Sequence, residues 1–216
     1  MAITVTIQPS NTDGEDCYID SGAATTNYNR QSTALLNSTR AALIRFNLAN
    51  YIPLKAKLIG VAQVNIYKTT ASHADTSTSV LLSIVKRNFV YNQATWNIYA
   101  TGDNWGTAGC KGTDDCYGGW AQGAQTRGAW WNYSNSTGAE WLTFYVPASA
   151  FGNLGDVGSG YQGGRVIFVD PAADTGRTVT IAMCGNATAA NRPKLTITYE
   201  PYHKIFPIVA GLGQVR

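Results

Sequence analysis

Hydrophobic and polar residues alternate along most of the chain, and this alternation is the strongest structural signal in the sequence. Ile3, Val5 and Ile7 form one apolar row with threonines between them. A period of two places such side chains on one face of a β-strand, whereas almost nothing in the chain repeats at the helical period of about 3.6 residues. The pattern therefore predicts a series of half-buried strands with little helix.

The same alternation recurs along the chain, each time bounded by turn-forming Gly, Pro, Asn, Asp or Ser. It predicts further strands over residues 42–48, 58–66, 80–85, 141–146, 166–169, 179–183 and 195–199. Residues 40–43 have some helix-forming character, but the β-branched and aromatic residues around them favour a strand. Eight or more strands with polar turns are typical of an all-β, two-sheet antiparallel sandwich.

Two segments depart from the alternation. Residues 91–133 are rich in Trp, Gly, Asn and Thr without periodicity, which predicts a long excursion of loops from an edge or end of the sandwich, where function tends to lie. We therefore expect a β-sandwich domain over residues 1–200, followed by an apolar tail over 201–216. The tail either docks onto a partner chain or packs back on its own domain, through Ile205, Phe206, Ile208, Val209 and Leu212.

Composition narrows the function. Only 13% of the 216 residues are charged and the net charge is +3, with no basic cluster longer than Lys86-Arg87, which argues against nucleic acid as a ligand. No stretch approaches the roughly 18 apolar residues that a spanning helix needs. The first residues lack the basic and apolar regions of a secretory signal, so we expect a protein made in the cytoplasm, or one whose leader was removed.

The inventory of reactive side chains favours a protein that is not an enzyme. The chain has two histidines, of which His73 lies in a Ser/Thr-rich turn and His203 in the tail, with no nucleophile motif beside either. Carboxylate pairs that would suit a glycosidase are too common in a chain of this length to indicate a site. We expect no catalytic residue and no cofactor.

The acidic turn at Asp13, Glu15 and Asp16 supplies oxygen ligands of the kind that Ca²⁺ prefers. It lacks the alternating spacing of an EF-hand loop, so a solvated acidic turn is favoured and no metal is expected. The sequence nevertheless leaves calcium binding at these three residues open.

Cys110 and Cys116 bracket a short Gly-containing loop, whereas Cys17 and Cys184 lie far from them in the sequence. The spacing suits a local disulfide and equally suits two reduced thiols. The sequence leaves both states open.

Aromatic residues give the best functional lead. Several of them crowd the loop-rich stretch together with Tyr133, and five are the candidate ligand-binding residues: Trp105, Tyr117, Trp120, Trp130 and Trp131. Flat rings stack on sugar faces and also anchor protein interfaces, so these residues predict a glycan-binding or protein-binding surface. The alternative is that the loops need a small core of their own, in which Trp96, Trp130 and Trp141 would be buried.

Several motifs in order resemble those of a known family. They are residues 40–48 (RAALIRFNL), 64–67 (VNIY), 95–97 (TWN), 103–105 (DNW) and 192–199 (RPKLTITY). Together they resemble the DNRLRE, or disaggregatase-related, domain family, which overlaps a class of carbohydrate-binding modules, over roughly residues 5 to 200. The resemblance implies a noncatalytic, jelly-roll-like β-sandwich of the kind found on cell surfaces, beside polysaccharide-degrading enzymes and in tailed-phage particles.

The expected function is therefore a structural protein of a virus particle surface, such as a tailed-phage capsid decoration or fibre protein. The tail is similar to extensions that follow such modules in virion proteins. Expected partners are a capsid or other virion protein and further copies of the chain, with a trimer as one arrangement. The alternative is a carbohydrate-binding adhesion module that recognises a cell-surface glycan.

Overall fold

Strands account for most of the regular structure in the computed structural model, which describes residues 1–72, 78–117, 129–134, 137–152, 163–170 and 178–202. The strands of these ranges are, in chain order, β1 (Ile3–Ile7), β2 (Glu15–Asp20), β3 (Tyr28–Asn29), β4 (Thr33–Leu36), β5 (Arg40–Arg45), β6 (Lys57–Ala71), β7 (Thr78–Ile84), β8 (Ile98–Ala100), β9 (Asp103–Asn104), β10 (Ala129–Ser134), β11 (Glu140–Pro147), β12 (Arg165–Val169), β13 (Val179–Ala182) and β14 (Lys194–Glu200). Helical residues form short 3-10 turns at Ser21–Ala23, Leu48–Asn50, Ala148–Phe151 and Ala189–Asn191. The predicted all-β class is confirmed, as is a strand at residues 40–43.

Sheet one is built around β6, a strand of 15 residues. β11 pairs with residues 61–68 of β6 along one edge. Two strands pair with the opposite edge of β6, one after the other: β14 with residues 57–65 and β13 with residues 68–71. Lys68 shows that these are two different edges, because it pairs with Glu140 of β11 on one side and with Ile181 of β13 on the other. β1 then pairs with β14 and β4 with β13. Sheet one is thus four strands wide, and two of these four positions are each occupied by two collinear strands, β14 with β13 and β1 with β4.

Sheet two has the strand order β10-β7-β12-β5-β2-β3. All the pairings in both sheets are antiparallel. The chain crosses repeatedly between the sheets, with β4 and β6 in sheet one and β5 and β7 in sheet two. This alternation gives the two-sheet antiparallel sandwich that was expected.

The main core lies between the two sheets. Sheet one supplies every second side chain of its strands, for example Ala62, Val64 and Ile66 of β6, which are all 0% exposed. Sheet two supplies Ile44 and Phe168 among others. The alternation that predicted these strands therefore marks the face that each strand turns toward the opposite sheet.

Sheet two is buried on both of its faces. β5 shows this most clearly, because Ala42 and Ile44 belong to the main core while Ala41 and Leu43 belong to a second core on the other side of the sheet. β12 has the same arrangement, with all five of its residues buried. Strands covered on both faces read as continuous apolar runs instead of alternating ones, and that is the pattern at residues 41–44 and 166–169.

Residues 85–117 form a covering layer that closes the second core. Its buried apolar side chains pack on the outer side of sheet two: Val85, Phe89, Ala94, Trp96, Trp105, Cys110 and Cys116. The sequence predicted loops at the edge or end of the sandwich over residues 91–133. The structure instead lays the described first part of that segment across a sheet, and its last described part is strand β10 of sheet two. The sequence missed this because the covering layer buries its aromatic residues without a regular period.

Candidate functional site

Within the described residues no layer covers the outer face of sheet one, in contrast to the covered outer side of sheet two. Its central strands present Gln63, Asn65 and Tyr67 from β6 and Trp141 and Tyr145 from β11. Each of these alternates with a buried neighbour, since strand side chains point in turn to opposite faces. The pairing register aligns them in cross-strand rows, with Trp141 opposite Tyr67 and Tyr145 opposite Gln63.

Tyr67, Trp141 and Tyr145 form what we call the aromatic patch. Trp141 is 38% exposed and Tyr145 is 62% exposed, whereas the rings of most large apolar residues are buried. Tyr67 and Trp141 meet with ring centroids 5.3 Å apart and an interplanar angle of 60°. Trp141 and Tyr145 are four residues apart on one strand, which separates their Cα atoms by about 13 Å.

Polar groups lie directly beside the aromatic patch. The Thr143 hydroxyl donates to Asn65 Oδ1 at 2.7 Å, which holds the Asn65 amide in one orientation. The Lys194 ammonium group lies 4.4 Å from the centroid of the Trp141 ring, in cation–π contact. The face thus combines exposed rings with amide, hydroxyl and ammonium groups, all of them mounted on strands of the sandwich.

The sequence had singled out other aromatic residues, and Trp105 corrects that prediction. Trp105 is only 5% exposed and belongs to the second core. Its indole Nε1 donates to the Thr95 carbonyl oxygen at 2.9 Å, and its ring centroid lies 5.5 Å from that of Tyr99. Trp105 is therefore a structural residue of the covering layer and has no ring face open to a ligand.

The other predicted loop aromatics divide into two groups. Tyr117 is 36% exposed at the end of the covering layer, where Lys86 Nζ lies 4.6 Å from its ring centroid. Trp120 lies outside the described residues, and so do the side chains of Trp130 and Trp131, whose backbone belongs to β10. Of these four residues only Tyr117 has a described side chain, and its described contacts are with the covering layer and not with the aromatic patch.

The expected alternative, burial of tryptophans in a loop core, is right for Trp96 and wrong for Trp141. Trp96 is 9% exposed and lies under Gly109, whose backbone has a φ of +82°. A Cβ atom at Gly109 would approach the Trp96 ring to 2.7 Å, so only glycine fits there. Trp141 is exposed because it alternates with Leu142 on β11, and that alternation was the signal in the sequence that could have identified it.

Asp115 organises the far end of the covering layer. The residue is fully buried, and its carboxylate accepts backbone N–H groups from Gly106 at 2.7 Å and Thr107 at 2.8 Å. Arg87 Nε completes the arrangement at 3.2 Å from Oδ1. A buried carboxylate with this set of donors has a structural role. It joins the loop that follows Trp105 to Arg87, which lies just after β7.

Cys110 and Cys116 are free thiols, so the disulfide that the sequence left open is not formed in this structure. Both are 0% exposed, and Cys116 Sγ donates to the Cys110 carbonyl oxygen at 3.1 Å. Burial raises the pKa of Cys110 well above its usual value. The two thiols therefore serve as small apolar side chains of the second core.

Asp16 links the two sheets at one end of the sandwich. It is 0% exposed on β2, and its Oδ2 accepts the backbone N–H of Cys184 at 2.7 Å. Burial raises the pKa of Asp16 to about 6, although the hydrogen bonds from the Cys184 backbone and side chain act in the opposite direction. Oδ1 has no hydrogen-bond partner among the described residues. Gly14 has to be small here, because a Cβ atom would lie 2.5 Å from that of Cys184.

In the acidic turn beside Asp16, the carboxylates of Asp13 and Glu15 are hydrogen-bonded or ion-paired to neighbouring protein groups. Asp13 Oδ1 accepts the Ser10 backbone N–H at 2.5 Å and the Ser10 hydroxyl, and these hydrogen bonds lower the pKa of Asp13. Glu15 is paired with Arg45 at 2.7 Å. Within the described ranges no group of three or more His, Cys, Asp or Glu side chains is arranged to hold a metal ion.

The tail residues that were expected to dock on a partner, Ile205, Phe206, Ile208, Val209 and Leu212, lie outside the described residues. In the part of the chain that is described, no helix is long and apolar enough to cross a membrane.

The sequence was compared with protein-family models and with curated proteins. A scan of the chain against protein-family models finds no match, and a search of curated proteins finds none either. The likeness to DNRLRE domains consequently stays an expectation that depends on the motifs themselves.

Proposed function

We propose that the chain is a noncatalytic glycan-binding β-sandwich that binds sugar through the aromatic patch of sheet one. The observation that carries the proposal is the exposure of Trp141 and Tyr145 on an open sheet face, beside Gln63 and Asn65. Aromatic rings stack on the apolar faces of sugar rings, and neighbouring amide groups hydrogen-bond to the hydroxyls.

The position of the aromatic patch on β-strands supports the same proposal. Side chains on strands are placed more rigidly than side chains on loops, and this lowers the entropy lost when a ligand binds. Tyr67 contacts one side of Trp141, and Lys194 lies against its ring. The Trp141 ring is thereby fixed before any ligand arrives, while more than a third of the residue stays exposed.

The roles of two buried carboxylates, Asp20 and Asp115, support a noncatalytic protein. Asp20 accepts the Gly22 backbone N–H and pairs with Arg40 at 2.6 Å. Asp115 is occupied by the two backbone groups and Arg87. These carboxylates stabilise turns and strand ends, which is a sufficient reason for their burial.

The setting that we propose for this module is the surface of a virus particle, as a capsid decoration or fibre-type protein. Support comes from the resemblance of its motifs to a family that occurs in tailed-phage structural proteins. Mass spectrometry of purified particles tests the setting: a fixed ratio of this chain to a major capsid protein is expected. Absence from particles would instead direct the search to a protein attached to a microbial surface.

Binding is tested by native affinity electrophoresis of the full chain in gels that contain a panel of soluble polysaccharides. We expect at least one polysaccharide to retard the chain, and Trp141→Ala to abolish the retardation. Tyr117→Ala is the matched control, because Tyr117 is an exposed aromatic residue away from sheet one. Retardation that survives Trp141→Ala, or its absence with every polysaccharide, would contradict the proposal.

A further inference from the structure

In the part of the chain that the structure describes, β1 forms an edge of sheet one that lacks the usual protection against pairing with another strand. Among the described residues β1 pairs only with β14, in continuous register from Ile3 opposite Tyr199 to Ile7 opposite Leu195. All five of its residues are β-branched, and none is charged or proline. Natural edge strands are usually guarded by charge, proline, a bulge or short length, and β1 has only its modest length of five residues. At the edge of sheet two, by contrast, β3 is two residues long.

The sequence of β1 is a palindrome. Ile3-Thr4-Val5-Thr6-Ile7 reads the same in both directions. Antiparallel pairing with a second copy, centred on Val5, therefore sets Ile3 against Ile7 and Thr4 against Thr6, while Val5 meets its own equivalent. Such a contact is isologous, since each copy offers the same strand to the other.

The contact that β1 already makes with β14 shows that this pairing is chemically favourable. β14 presents Thr196 and Thr198 on either side of an isoleucine, as β1 presents Thr4 and Thr6 on either side of a valine. The hydroxyl oxygens of Thr4 and Thr198 lie 2.8 Å apart, and those of Thr6 and Thr196 lie 3.0 Å apart. A second β1 would offer the free edge the same alternation of threonine and aliphatic side chains.

Exposure is also consistent with a partner at this edge. Ile3 is 39% exposed, although it is a large apolar residue on the face that turns toward the main core, and Val5 is only partly buried there. A strand added alongside would cover both side chains as well as the unpaired backbone groups of the edge.

We propose that β1 pairs antiparallel with β1 of a second copy of this chain, joining the two copies of sheet one into a single continuous sheet. Residues directly opposite one another in an antiparallel pair point to the same face. The aromatic patches of the two copies therefore lie on the same side of the joined sheet. The proposal concerns assembly and stands whether or not the patch binds a glycan.

The test is the molar mass of the full chain in solution, measured by light scattering and sedimentation over a wide dilution series. We expect the wild type to be a dimer. The double variant Thr4→Lys/Thr6→Lys puts like charges directly opposite one another across the seam, which should raise the dissociation constant at least about tenfold. Thr196→Lys/Thr198→Lys is the matched control, because it adds the same charges to the same face one strand further in, and we expect it to remain dimeric.

Charge complementation guards against a loss of folding in these variants. Thr4→Glu/Thr6→Glu alone should also be monomeric, and mixing it with the lysine variant should restore a dimer that contains one copy of each. A monomeric wild type, a lysine variant that dimerises like the wild type, or a failure of the mixture to pair would each overturn the proposal. So would dissociation caused by truncation after Tyr202 but not by the lysine pair, since the tail would then be the contact.

Discussion

Trp141 on β11 and Tyr67 on β6 are direct cross-strand neighbours whose ring centroids lie 5.3 Å apart on the outer face of sheet one. An aromatic pair of this kind contributes roughly 0.5–1.5 kcal/mol beyond the burial of its surface. The pair therefore holds the Trp141 ring in place, which makes Tyr67 a positioning residue for the proposed glycan contact.

Tyr67→Ala should weaken binding of a retained polysaccharide by about three- to tenfold, because the Trp141 ring loses its edge contact. Tyr67→Phe keeps the ring and should bind nearly as the wild type does. Isothermal titration calorimetry with each variant measures the difference. An equal loss in both variants would contradict a positioning role and indicate that the Tyr67 hydroxyl contacts the ligand.

Trp105→Ala should mainly reduce the stability of the fold, whereas Trp141→Ala should mainly reduce the proposed glycan binding. Trp105 is buried and hydrogen-bonded, so its loss should destabilise the fold by about 3–5 kcal/mol and lower Tm by roughly 6–20 °C. Trp141 is exposed, so its loss should shift Tm by only a few degrees while removing the proposed binding. Scanning calorimetry and affinity electrophoresis on both variants check this. A strong stability loss in Trp141→Ala with intact binding would reverse the assignment of the two residues.

These two tryptophans also show how far the sequence could lead. The alternation of Trp141, Leu142, Thr143 and Phe144 predicted a strand correctly, and its parity already puts Trp141 on the face away from the core. Trp105 has no such parity, because the covering layer follows the shape of sheet two and not a regular period. Its burial depends on contacts with strands distant in the sequence, such as Ile167 of β12 in the same second core. The local pattern of apolar and polar residues cannot predict contacts between segments that are distant in the sequence.

Pairing between distant segments limited the prediction of strands in the same way. β2 was missed, although Cys17 and Ile19 are fully buried, because its charged residues interrupt the apolar row. The structure explains two of these three charges by ion pairs with the neighbouring strand β5: Glu15 pairs with Arg45, and Asp20 pairs with Arg40. Cross-strand ion pairs of this type become visible only when the register of two strands is known.

Asp115→Asn should loosen the covering layer. An amide in place of the carboxylate presents an NH₂ group to one of the two backbone donors and removes the negative charge that pairs with Arg87, at a loss of about 2–4 kcal/mol. Cys110 and Cys116, which are buried in this layer, should then react faster with a thiol reagent, and mass spectrometry locates the label. Asp114→Asn is the control, since Asp114 is exposed next to it. Unchanged labelling of Cys110 and Cys116 in Asp115→Asn would show that the layer is held by its apolar contacts alone.

Asp16 should make the stability of the fold depend on pH. Its folded-state pKa is about 6, against 3.8 for the free side chain, so the folded state binds the proton more tightly than the unfolded state does. The free energy of unfolding should therefore fall as the pH rises from about 4 to about 6, by an amount on the order of 1–3 kcal/mol, and then level off. Urea titrations at several pH values measure this slope.

Asp16→Asn should remove the slope, because the amide still accepts the Cys184 backbone N–H and has no proton to lose in this range. Asp13→Asn is the matched control from the same turn. The pKa of Asp13 is lowered by its hydrogen bonds to Ser10, so its contribution to stability is present above pH 3.8 and is lost only as the pH falls through the lower folded value. Asp13→Asn should therefore keep the wild-type slope between pH 4 and 6. If Asp16→Asn kept that slope as well, the proton taken up on folding would belong to another group, and the burial of Asp16 would have to be compensated by interactions stronger than its hydrogen bonds from Cys184.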